Sequence, residues 1–269
     1  MIYLFNLLGI NPNGLLYGLF KELSSTDPGK AFLPFILGLL ICIIVPYLLG
    51  SLNFGIIISK YLYNDDIRNY GSGNAGLTNM HRVYGKKGAL YTLGGDMLKQ
   101  FLSVVLGMLV YGEGGAYLAG TFCMLGHIAP IYYHFKGGKG VLTAATMVLL
   151  IDPLIFVCLF AIFVLIVLIF KYISLGSVMA GFLYPAFIYL RAVYIYHATA
   201  PLPAMLFSFF TGLLLIFMHR ENMRRIFNNE ENRFSFKKKP VAVDAVDENP
   251  ARTEFEEIEE EHNKKKKKK

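Results

Sequence analysis

The chain reads as an all-α integral membrane protein of about seven transmembrane helices, with five to seven as the range. Three observations predict this class. Hydrophobic residues make up 55% of the sequence, and the mean hydropathy is +0.47. The apolar residues gather in long runs and not in the one-sided stripes of soluble helices. Between the runs lie short, polar, glycine-dense stretches, the composition of connections outside the hydrocarbon.

The first twenty residues lack a basic leader, and Asn11-Pro12-Asn13-Gly14 interrupts their apolar character. They read as an interfacial segment, residues 1–32, and not as a cleavable signal. Apolar spans follow at 33–58, 89–110, 115–133, 141–151, 154–170, 173–190 and 203–219. The fourth stops before Asp152-Pro153, short of the ~20 residues that a crossing needs. If it and its successor do not cross separately, the count falls to five. The multi-pass domain is placed at 33–236. From 237 onward the chain alternates blocks of charge, Lys237 to Lys239, Glu254 to Glu261 and Lys264 to Lys269. That pattern predicts a disordered, solvated tail.

Lysine and arginine set the expected orientation. Lys60, Arg68, Arg82, Lys86 and Lys87 follow the first span, Lys136 and Lys139 follow the third, and Arg220, Arg224 and Arg225 follow the last. The connections at 112–114 and at Asp152-Pro153 carry no such residue, and 191–202 carries Arg191 alone. The N-terminus is therefore expected outside and the C-terminus in the cytoplasm. Cys42, Cys123 and Cys158 fall inside apolar runs, as small buried hydrophobes do. No zinc pattern or other metal cluster is expected, no cofactor is called for, and nucleic acid is not an expected partner.

Two polar stretches carry the chemistry. The first is Tyr70-Gly71-Ser72-Gly73-Asn74-Ala75-Gly76-Leu77-Thr78-Asn79 and the second is Phe135-Lys136-Gly137-Gly138-Lys139-Gly140. Glycine-rich backbone leaves amides open to an anion, and the second stretch runs straight into a helix start at Val141. It is not a nucleotide-binding P-loop. Tyr133 stands where that motif needs glycine, and Gly140 stands where it needs Ser or Thr. With the arginines after the last span, these segments are expected to form one composite anionic site at the cytoplasmic face.

These residues resemble the bacterial membrane acylphosphate:glycerol-3-phosphate acyltransferases. Asp66-Ile67-Arg68 with 71–79 is similar to that family's first segment. Gly126-His127, Pro130 and 135–141 are similar to its second, and His219, Asn222, Arg225 and Glu231 to its third. Gly50-Ser51, Asp96 with Lys99, and Ser174-Leu175-Gly176-Ser177 are further matches, so the resemblance covers about 45–235. Ala75, Leu77, Gln100 and Asn229 depart from the family's usual proline, alanine, glycine and glycine. None of these changes removes a charged or hydrogen-bonding group.

The resemblance implies a reaction of phospholipid synthesis in the bacterial cell membrane. The 1-hydroxyl of glycerol-3-phosphate would attack the carbonyl of an acyl phosphate, giving 1-acylglycerol-3-phosphate and phosphate. It implies Ser51, His219 and Asn222 as catalytic residues. Arg68, Ser72, Asn74, Thr78, Asn79, Lys136, Gly137, Gly138, Lys139 and Ser177 would hold substrate. Asp96, Lys99 and Glu231 would support the site, the first two as a pair three residues apart and Glu231 by anchoring the last helix. The partners implied are these two substrates and membrane lipids. The alternative is a multi-pass transporter of a small organic anion.

Overall fold

The structure is a computed structural model that describes residues 14–16, 23 and 28–234. Most of the expected interfacial segment and the whole charged tail lie outside the described residues. Every regular element among them is helical. They divide into two compact units, one made of the chain up to Asn53 and from Leu93 on, the other of Phe54–Thr92.

In the first unit, helix α1 spans Pro28–Ser51 with Pro34 and Pro46 inside it, and much of its apolar surface is open, Phe32 and Leu37 among it. It stops within the first expected span, because the chain leaves the helix at Leu52 and Asn53 before α2 begins at Phe54–Tyr63. The cause is a buried ammonium. Lys99 Nζ donates to the carbonyls of Gly50 and Leu52, each at 2.9 Å, which a continuing helix would offer to residues four further on.

The next helical run, α3, covers Leu77–Ile128, and it is not one rod. Gly112 takes φ +63°, a left-handed conformation that glycine adopts without a Cβ penalty. The two arms beside it fold back on each other. Lys99 Nζ lies 3.0 Å from His127 Nδ1, although 28 residues of straight helix would separate them by ~42 Å. Gly107 and Gly115 let the arms touch, since a Cβ on either would meet the other's carbonyl oxygen at 2.1–2.2 Å. Gln100 Nε2 donates to Gly120 O at 3.0 Å across the same seam. The expected second and third spans are these two arms, joined at Gly112.

Helix α4, Val141–Ile151, has 11 residues and is largely buried. Asp152 then caps α5, Pro153–Phe170, by accepting from Ile155 N. Pro153 stands at the helix start, where its missing N–H costs nothing. Helix α6 spans Ile173–Leu190, a π-turn follows at Arg191–Ile195, and α7 spans Leu202–Met218. At His219 the chain bends by 50° into the short α8, Arg220–Phe227. Helices α6 and α7 pack through glycine, with a Cβ on Gly212 reaching to 2.4 Å from Gly181 O. Tyr117, Tyr184, Ile155 and Ile188 fill the core, while Phe160, Leu165 and Leu168 face outward, as side chains against lipid do.

Among the described residues, four helical runs are long and apolar enough to cross a membrane, five with the bent α7–α8 pair, and the fold at Gly112 makes two arms of one of them. The seven apolar spans thus correspond to α1, the two arms of α3, and α4 to α7. Asp152 and Arg191 form a buried ion pair, with Glu113 in electrostatic reach of both. Three connections expected on one face therefore meet at one end of this unit.

The second unit is built around its polar loop. Ile67 N donates to Ser59 Oγ at 3.2 Å, which ties a 3₁₀ turn at Ile67–Asn69 to α2. Tyr63 stacks on Tyr84 with ring centroids 4.1 Å apart.

Candidate active site

At the other end of the first unit, the second glycine-rich stretch meets the segment after α7. The stretch reverses direction because His134 and Phe135 take φ of +56° and +59° and Gly140 takes +80°. The amides of Gly137 and Gly138 are not open to an anion as expected. Gly137 N donates to Ile128 O at 3.1 Å and Gly138 N to His127 O at 3.0 Å. The two glycines instead permit close approach, since a Cβ on Gly137 would meet His127 O at 2.1 Å and one on Gly138 would meet His127 Nε2 at 2.0 Å.

The turn thereby aims Lys139 at α8. Lys139 Nζ donates to Asn222 Oδ1 at 2.5 Å, and Asn222 Nδ2 donates to Glu231 Oε1 at 2.6 Å. The same Glu231 oxygen accepts from Ser174 Oγ at 2.9 Å, and Oε2 accepts from Arg225 Nε at 2.8 Å. Burial alone would raise the Glu231 carboxyl, but the donors on Asn222, Arg225 and Ser174 outweigh it and hold it below the usual carboxylate range. One carboxylate therefore fixes the amide of Asn222 so that its oxygen faces the lysine.

His219, buried at the bend between α7 and α8, has Nδ1 2.8 Å from Leu215 O. A carbonyl only accepts, so Nδ1 carries the proton in that contact and Nε2 of the neutral ring is left as an acceptor. His219 and Asn222 share one side of α8, as their spacing of three predicts.

Beneath the second stretch lies a buried charge cluster. Lys99 Nζ is 2.8 Å from Asp96 Oδ1, and His127 Nδ1 is 3.5 Å from that oxygen. The pairing expected of Asp96 and Lys99 is present, and it includes His127. Ser51 is fully buried. Its hydroxyl donates to Tyr47 O at 2.8 Å and accepts from Ile131 N at 3.3 Å, so it ties α1 to the start of the loop. Ser177 is also buried and donates back to Ile173 O at 2.9 Å, whereas Lys136 is exposed.

Ser174 and Arg225, which the sequence offers as family matches without an individual role, enter the site through Glu231. Asn53, whose Nδ2 donates to His127 O at 3.4 Å, is missed by sequence reasoning. A lone asparagine within an apolar run was the available signal.

The first glycine-rich stretch belongs to the second unit. Asp66 Oδ1 accepts from Arg68 N and Nε at 3.0 and 2.9 Å, and Oδ2 accepts from Arg68 Nη2 at 2.7 Å. The Arg68 guanidinium holds the Asp66 carboxyl below its usual range. Asn79 organises the loop, its Oδ1 accepting from Ser72 N at 3.0 Å and its Nδ2 donating to Tyr70 O at 2.9 Å. Gly71 and Gly73 take φ of +61° and +67°, and a Cβ on Gly71 would meet Asn79 Oδ1 at 2.3 Å. Ser72 and Thr78 are exposed and Asn74 is half-buried. Among the described residues no group of three or more His, Cys, Asp or Glu side chains is arranged to hold a metal.

The sequence profile of a family described as glycerol-3-phosphate acyltransferase matches residues 40–229. A protein of Finegoldia magna (strain ATCC 29328 / DSM 20472 / WAL 2508) named glycerol-3-phosphate acyltransferase is 40% identical over 198 residues, covering 72% of this chain and 96% of that protein. One of the same name from Bacillus subtilis (strain 168) is 35% identical over 189 residues, covering 70% and 94%. Among solved structures, PlsY (YgiH), described as an integral membrane glycerol 3-phosphate acyltransferase, is 32% identical. Its glycerol 3-phosphate form aligns with a TM-score of 0.66 over 77% of this chain and 98% of that one. Its lysophosphatidic acid form aligns at 0.64, over 73% and 95%.

Proposed function

The chain belongs to the glycerol-3-phosphate acyltransferase family and is an integral membrane acyltransferase; from that premise we propose that its acyl donor is an acyl phosphate and its product 1-acylglycerol-3-phosphate. The observation that carries this reading is the chain of contacts from Lys139 through Asn222 to Glu231, beside His219. A cation seated on an amide that a half-buried carboxylate fixes in place suits a phosphorylated substrate. The acceptor on His219 suits a hydroxyl that must lose its proton.

In the proposed reaction the 1-hydroxyl oxygen of sn-glycerol-3-phosphate forms an ester bond to the acyl carbon. The bond from that carbon to the phosphate oxygen breaks, and phosphate leaves with the bonding pair. The hydroxyl proton has two acceptors in this chemistry, the departing phosphate and His219 Nε2. Lys139 binds a phosphate, and Arg68, with Ser72, Asn74 and Thr78 in its loop, is assigned to phosphate recognition on chemistry alone. Holding both reactants in line supplies much of the rate, ~7–11 kcal/mol in well-oriented systems. The buried hydroxyls of Ser51 and Ser177 fit positioning, and Asn79 shapes the first loop. The active face is assigned to the cytoplasm of a bacterial cell.

Phosphate release by the purified protein in detergent tests this reading. Release should require both acyl phosphate and glycerol-3-phosphate, and faster transfer from acyl-CoA or acyl carrier protein would overturn the donor assignment. His219→Ala separates the two proton acceptors, because near-normal turnover would leave the leaving phosphate as the base.

A further inference from the structure

Helix α8 has two working sides. Arg220, Met223, Arg224 and Phe227 stand at i, i+3, i+4 and i+7 and form one stripe. Asn222, in the contact chain described above, lies on the other side, as does His219 just before the helix. The stripe faces a groove of about 670 Å³ at the 50° bend, whose remaining wall includes Leu213 and Phe217 of α7. Leu213, Phe217 and Phe227 are each more than half exposed in it.

The two arginines on the rim are placed to receive an anion. Arg220 donates to Phe217 O at 3.1 Å, and its guanidinium stands over the Phe217 ring, 4.4 Å from the centroid. Its charge is therefore held beside the apolar wall. Arg224 approaches Glu221 at 3.9 Å with both side chains open, an exposed pair that contributes little. Arg225, by contrast, is bound to Glu231.

We propose that this groove binds an anionic phospholipid of the surrounding bilayer. Its phosphate sits at Arg220 and Arg224, and one acyl chain lies along Leu213, Phe217 and Phe227. An apolar floor with a cationic rim matches a lipid of net negative charge better than one whose headgroup carries its own cation. Occupancy braces α8 from outside and so steadies Asn222 and His219. This consequence for turnover rests on the function proposed above, whereas the binding does not.

The sequence contains no tryptophan, so Phe227→Trp creates a single reporter in the groove, with Leu213→Trp as a second should the first fail to fold. The protein is reconstituted in phosphatidylcholine bilayers, and part of the lipid is replaced by brominated phosphatidylcholine or brominated phosphatidylglycerol. The expected result is severalfold stronger quenching by the anionic lipid at equal mole fraction. Adding Arg220→Gln and Arg224→Gln should equalise the two lipids. Lys86→Gln with Lys87→Gln, which removes the same charge elsewhere, should leave the preference in place. Equal quenching in the reporter protein, a preference that survives loss of both arginines, or one abolished by millimolar inorganic phosphate would each overturn the proposal. At saturating substrates kcat should rise severalfold with phosphatidylglycerol in the wild type and stay flat in the arginine double variant. Because quenching needs no turnover, it still decides the lipid question if acyl transfer is not observed.

Discussion

Glu231 gathers Ser174, Asn222 and Arg225 from two helices onto one carboxylate, and its replacement reaches further than a lost contact. Glu231→Ala leaves Arg225 and the Asn222 amide unpartnered, and removing a charged acceptor costs about 1.5–3 kcal/mol. The expected loss in kcat/KM is about 10- to 100-fold, read in the phosphate-release assay. The lowered pKa of Glu231 fixes the sign of its pH effect. Its contribution to stability is present above the ordinary glutamate value of 4.5 and is lost as pH falls below that toward the folded-state value. Thermal unfolding in detergent should show the wild type losing stability in that acid window, while Glu231→Gln flattens that part of the profile. Gly138→Ala places a Cβ 2.0 Å from the His127 ring, and such overpacking should lower stability by about 1–3 kcal/mol in the same measurement. His219 and Asn222 are legible in the sequence through the family resemblance, and their spacing of three adds that they share one side of a helix. The role of Gly137 and Gly138 is not. Whether an amide is open depends on where the chain turns next, and here it turns back onto the carbonyls of His127 and Ile128.

Among the elements, the α3 arms and the end of α1 depend on one buried ammonium. Lys99 is held by Asp96, His127 and the carbonyls of Gly50 and Leu52. Lys99→Met strands Asp96, and breaking one side of such a pair costs about 3–5 kcal/mol. The combined change Asp96→Asn with Lys99→Met should unfold at a higher temperature than Lys99→Met alone, because it leaves no charge uncompensated. Asp96 and Lys99 were readable as a pair from their spacing, and the turn at Gly112 from the glycine-rich gap between two apolar runs. The interruption of the first span was not. Its cause is a side chain 47 and 49 residues away in sequence, which hydropathy cannot register.

At the scale of the molecule, the helical, membrane-embedded character was fully visible in composition, since hydropathy measures the property that the bilayer selects. Helix packing was less visible, because close approach depends on which small residues face each other. Gly212→Ala puts a Cβ 2.4 Å from Gly181 O and should push α6 from α7. The measured outcome is a fall in thermal stability of about 1–3 kcal/mol, with Leu206→Ala on the exposed side of α7 changing it little. The fold at Gly112 also bears on how the protein is made. Its arms are neighbours in sequence, so they can meet as they leave the ribosome and enter the bilayer as one hairpin. Asp96, Lys99 and His127 lie within that hairpin, so the aspartate and lysine would be partitioned into lipid already neutralised. A lone lysine carried by a single helix faces a barrier of about 2.5–3.5 kcal/mol at insertion.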